Sequence, residues 1–85
     1  MTIRNNIIST IQKVASDGGK ELVSGFGDET VLLESGLDSL DFAILVARLE
    51  EELNADPFSV MAEPVYPRTL ADFITIYEEH FARSA

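Results

Sequence analysis

A chain of 85 residues with 46% apolar side chains lies near the lower size at which one core stabilises a fold unaided, so a single domain over 1–85 is expected and wholesale disorder is not. Fifteen acids against six basic residues, a formal charge of -9, argue against nucleic acid or anionic lipid as a partner, because phosphate recognition needs clustered Lys and Arg. With no cysteine there is no disulfide framework, thiol nucleophile or thiolate metal site.

The charge is uneven. Residues 1–20 carry Arg4, Lys13 and Lys20 against Asp17, whereas residues 21–65 hold eleven acids and one base, Arg48. A block this acidic steers encounters with basic patches on partner proteins, or simply keeps the surface solvated. The longest apolar run, Phe42 to Ala47, is six residues, far short of a membrane span. The opening Met1-Thr2-Ile3-Arg4 has no secretory pattern, so a soluble cytoplasmic protein with no membrane insertion is expected.

Ile3, Ile7, Ile8, Ile11, Val14 and Ala15 recur at three- and four-residue steps and predict an amphipathic first helix over 3–16. Thr2 is placed to cap it, and Asp17-Gly18-Gly19 to end it. A long connection over 18–38 follows, with Gly at 18, 19, 25, 27 and 36. Connections of this length are uncommon unless pinned or functional, and Leu22, Val23, Phe26, Val31, Leu32 and Leu33 are expected to pin this one. Gly25-Phe26-Gly27 reads as a turn, since no phosphate-loop lysine follows.

Asp38 caps a second helix from Ser39 to Leu53, with Phe42, Leu45, Val46, Leu49 and Leu53 as its inward stripe. Asn54 and Asp56-Pro57 close it, and Pro57 opens a short helix through about Met61. Thr69 with Asp72 forms a capping box for the last helix, whose apolar face is Leu70, Phe73, Ile74, Tyr77 and Phe81. The fold expected is all-α: a small bundle of three main helices plus one short helix, with a long loop between the first two.

The segment Leu33-Glu34-Ser35-Gly36-Leu37-Asp38-Ser39-Leu40-Asp41 resembles the attachment site of acyl carrier proteins, whose Asp-Ser-Leu tripeptide opens the second helix. Leu49-Glu50-Glu51-Glu52-Leu53 and Pro67-Arg68-Thr69-Leu70-Ala71-Asp72-Phe73 resemble later parts of the same family, so the likeness covers nearly the whole chain. It implies a 4'-phosphopantetheine arm, taken from coenzyme A and attached to Ser39, that holds an acyl or aminoacyl group as a thioester. It also implies partners: a phosphopantetheinyl transferase, then acyl or aminoacyl ligases, acyltransferases or condensing enzymes. A monomer is expected. Asp38, Leu40, Asp41, Ile44, Ala47, Arg48 and Glu51 are the candidate recognition residues.

The local chemistry agrees with such a role. A serine just inside a helix N-terminus can project its hydroxyl outward, and the free amides favour an anion there by ~0.3–1 kcal/mol. Asp38 and Asp41 oppose part of that gain as like charges. Ser39 is not an activated nucleophile, because the one histidine, His80, lies in the last helix. The chain is therefore expected to have no catalytic residues and to be a substrate of the transferase. No calcium-loop spacing exists for a metal site.

Two features depart from carriers of fatty-acid synthesis. Those usually place a Glu five residues after the serine, where this chain has Ile44, and Ala47 stands where they tend to have Met. The link from Leu53 to Thr69 is longer and holds Pro57, Pro64 and Pro67. Both point to a specialised carrier in a lipid, polyketide, peptide or polysaccharide pathway. A cargo pocket between helices would be lined by Phe42, Leu45 and Met61, residues that serve equally as plain core. The alternative reading is an unmodified helical interaction domain that docks through the Leu40/Ile44 face.

Overall fold

A computed structural model of the protein describes residues 2–58 and 67–84, with side chains through residue 82. Three helices of equal length, α1 (Ile3–Asp17), α2 (Ser39–Leu53) and α3 (Leu70–Ser84), carry the fold. A single 3-10 turn, Leu32–Glu34, interrupts the long connection. The short helix expected after Pro57 falls largely outside the described residues. Among those residues the all-α expectation holds, with one isolated bridge between Val31 and Thr69.

Each helix starts where its sequence chemistry places it. Thr2 accepts the Asn5 amide at the head of α1. Thr69 and Asp72 exchange side-chain-to-amide bonds at the head of α3, as the capping box predicts. At the end of α2, Asn54 takes the left-handed conformation, φ 52°, that releases the last carbonyls from the helical path.

Helix α1 packs against both of the others. Ile7, Ile11, Val14 and Ala15 from α1, Leu45 and Leu49 from α2, and Leu70, Phe73, Ile74 and Tyr77 from α3 form the core, joined by Leu32 and Leu37 of the connection. Phe42 crosses from α2 to α3, edge-on to Phe73 at 5.5 Å, and Phe73 meets Tyr77 at 5.1 Å. Such edge-to-face pairs add about 0.5–1.5 kcal/mol beyond area burial. The Tyr77 hydroxyl is buried with no hydrogen-bond partner among the described residues. Burial, with the charges of Asp56 and Glu50, pushes that phenol well above its usual range.

The connection is pinned, but not by all the expected side chains. Leu32 is fully buried, whereas Leu33 is 59% exposed and Val23 is 40% exposed. The 3-10 turn accounts for the difference between the first two, because successive side chains on such a turn point about 120° apart, so Leu32 inward means Leu33 outward. Backbone bonds do the rest. The Val23 amide donates to the Ser35 carbonyl at 2.9 Å, the Leu32 amide to Arg68, and the Leu70 and Ala71 amides to Thr30 and Asp28.

Gly36 is the tightest point of this wrapping. Its φ of +113° is a region that L side chains rarely adopt, and a Cβ there would run into the Glu21 carbonyl oxygen. Gly36→Ala is therefore expected to cost about 1–3 kcal/mol, read as a lower urea midpoint at an unchanged slope.

Candidate functional site

The site is built on the first turn of α2. Asp38 is the N-cap: its carboxylate accepts the Asp41 amide at 2.9 Å, while the Asp41 carboxylate accepts the Asp38 amide at 3.0 Å. This reciprocal box satisfies two amides that would otherwise lack a helical partner. Asp38 makes the cap, which leaves the next residue, Ser39, exposed with its hydroxyl outside that exchange. The other serine of the segment is unlike it. Ser35 is 0% exposed, and its hydroxyl donates to the Leu32 carbonyl.

A third group joins the box. The Lys20 ammonium bonds the Asp38 carboxylate at 2.9 Å and also the Asp41 carboxylate. These contacts, first from Lys20 and then from the Asp41 amide, hold the Asp38 carboxyl at about 2, below its usual 3.8. The same two carboxylates raise the Lys20 ammonium above its usual 10.5. The sequence did not single out Lys20, because its partners lie 18 and 21 residues away.

The cue was nonetheless local. The Gly19 amide bonds the Ser16 carbonyl and the Lys20 amide bonds the Ala15 carbonyl, with Gly19 left-handed at φ 68°. This is a Schellman ending, and it fixes Lys20 as the second residue beyond the cap of α1.

Beside Ser39 opens an apolar groove of about 330 Å³, lined by Leu32, Leu33, Ser39, Phe42 and Pro67. Of the side chains named as cargo-pocket candidates, Phe42 lines this groove, Leu45 is 0% exposed in the core, and Met61 lies outside the described residues. On the outward side of α2, Leu40 is 69% exposed and Ile44 38% exposed. Ala43, Ala47 and Glu51 are exposed too.

The remaining candidates have structural engagements. Asp41 is only 6% exposed, held in the cap. Arg48 reaches Asp17 of α1 at 2.7 Å. Glu52, one of three acids near the α2 C-terminus, accepts the Thr10 hydroxyl at 2.5 Å and so ties α2 to α1. His80 is half-buried with its ring edge-on to Phe81 at 5.7 Å.

The described residues thus form a small helical bundle in which Ser39 is exposed in the first turn of α2, beside an apolar groove and among acids. A family model described as the phosphopantetheine attachment site matches residues 7–74, from the first helix to the last. The chain belongs to that family, and with it to the acyl carrier proteins. No curated protein and no solved structure matches it. Domains of this family carry covalently attached 4'-phosphopantetheine and are non-catalytic carriers. The site fits that group: an exposed hydroxyl to attach it, helix amides behind it, and an apolar groove alongside. Among the described residues, no helix is long and apolar enough to cross a membrane, and no cluster of side chains is arranged to hold a metal ion.

The folded Asp38 carboxyl lies below its usual value, so its contribution to stability is present above about 3.8 and is lost as pH falls towards 2. Lys20 behaves oppositely: its contribution is present below 10.5 and is lost as pH rises through its higher folded value. Thermal midpoints measured from pH 5 down to pH 2 should fall, and Asp38→Asn should fall less steeply than the parent.

Proposed function

We propose that this chain is a specialised acyl carrier protein, modified at Ser39. The observation that carries the assignment is the contrast within the motif segment: Ser35 is buried and bonded, while Ser39 is exposed at the first turn of α2. Attachment forms a bond from the Ser39 oxygen to the pantetheinyl phosphorus of coenzyme A. The pyrophosphate bond breaks, the adenosine bisphosphate half leaves, and the hydroxyl proton passes to a base of the transferase. That base comes from the partner, because no histidine reaches Ser39: the single one is on α3. When bound, the arm supplies a terminal thiol that carries an acyl or aminoacyl group as a thioester.

What this chain's residues do is hold, orient and present. The cap fixes the turn on which Ser39 stands, and the groove beside it, lined by Leu32, Leu33 and Phe42, offers apolar cover to the arm or its cargo. Outward on α2, Leu40, Ile44 and Ala47 lie on one helical face at three- and four-residue steps. With Glu51 and the open side of Asp38, they form the recognition surface of this proposal.

Two exposed branched residues, Leu40 and Ile44, on the face where carriers of fatty-acid synthesis usually set a Glu favour a partner with an apolar contact. The role proposed is a dedicated carrier for stand-alone ligases or transferases in a lipid, polyketide, peptide or polysaccharide pathway, working in the cytoplasm as a monomer over one 1–85 domain.

Incubation of the apo chain with coenzyme A and a broad-specificity transferase should add one phosphopantetheine by intact mass, and Ser39→Ala should add none. Failure to gain that mass with several transferases would favour the unmodified interaction domain. For the recognition face, Ile44→Glu should weaken the cognate ligase or transferase by about tenfold in kcat/KM, as expected when a charge enters an apolar contact. Unchanged turnover would remove Ile44 from the surface.

A further inference from the structure

The capping box of α2 is complete without a cation. Each carboxylate already accepts the other residue's backbone amide, at 2.9 and 3.0 Å. What the box leaves unbalanced is charge, since two carboxylates flank Ser39 at the positions one before and two after it. In a chain with only two lysines, the Schellman ending of α1 delivers one of them onto both carboxylates at once. The inner one, Asp41, has a side chain only 9% exposed, while that of Asp38 is 62% exposed. Lys20 itself is 32% exposed, so its ammonium sits between the buried acid and the open one.

Attachment replaces a neutral hydroxyl with a phosphodiester bearing one negative charge, on the residue between those two acids. Three anions on one helical turn repel, and the amides of a single helix start return only ~0.3–1 kcal/mol to an anion. We propose that Lys20 is a positioning residue of the attachment site: its ammonium compensates Asp38 and Asp41 so that Ser39 can accept and keep a phosphodiester beside them. The proposal rests on the carrier reading. It gives Lys20 a part beyond holding the fold, because its effect must grow once the third charge is present.

The test is a thermal cycle at low salt on apo and phosphopantetheinylated forms of the parent, Lys20→Met and Lys20→Arg. Lys20→Met should lower the midpoint of the modified form by about 2 °C or more beyond its effect on the apo form. Lys20→Arg should restore the parent pattern, and high salt should shrink the difference. Equal losses in the two forms would overturn the proposal. If Lys20→Met does not fold, the parent alone decides the matter through amine labelling followed by mass spectrometry. Lys20 should label about twofold more slowly in the modified form than in the apo form, with Lys13 as the internal reference, because an added anion stabilises the protonated amine. Equal labelling would overturn Lys20's role while leaving the carrier reading intact. A parent that never gains the phosphopantetheine mass would overturn both.

Discussion

The reciprocal exchange between Asp38 and Asp41 is the contact on which the site depends. It starts α2 at Ser39, and a helix that lost this cap would fray through the turn on which Ser39 stands. Further along the same helix, Leu45 and Leu49 face the core. The cap thus fixes the turn at the surface, while the apolar stripe fixes which face of the helix is buried. Lys20 extends that arrangement back to α1, so the end of one helix and the beginning of the next are fastened at one point.

The acidity of the chain takes on a different meaning once the pairs are placed. Asp17 pairs with Arg48, Asp28 with Arg4, and Asp38 and Asp41 with Lys20, all within the chain and mostly at its surface. Three of the chain's few bases are therefore engaged with its own acids. The field offered to partners comes from the acids left over, with Glu51 exposed near the end of α2. At the start of that helix the exposed face mixes apolar Leu40 and Ile44 with the open carboxylate of Asp38. On the recognition surface proposed above, the contact beside the serine would be largely apolar and the acids would act on the encounter.

Local signals were legible in the sequence, and distant ones were not. Thr2, Asp38 and Thr69 marked three helix starts because a capping side chain bonds amides only two or three residues ahead. The apolar spacing of Ile7, Ile11 and Val14, or of Leu70, Phe73 and Tyr77, named most of the core for the same reason. Ser39 could be singled out because its motif is contiguous. Lys20 was missed, as was the bond from Thr10 to Glu52, because each joins residues 18 to 42 positions apart. Leu33 and Val23 were expected inside on hydropathy alone. In a wrapped segment, backbone direction decides which of two adjacent apolar residues faces in, and composition does not encode it.

The carbonyls of Asp28 and Thr30 accept the Ala71 and Leu70 amides at the head of α3. A helix start commonly gives such donors to water or to a side chain; here a strap from elsewhere in the chain takes them. Loosening either the strap or the start of the last helix leaves unsatisfied backbone groups on the other, so protection of the Leu70 and Ala71 amides from hydrogen exchange depends on the strap staying in place. Leu32 and Leu33, a few residues along the same strap, also wall the groove at Ser39. The strap thus touches both the groove and the head of α3.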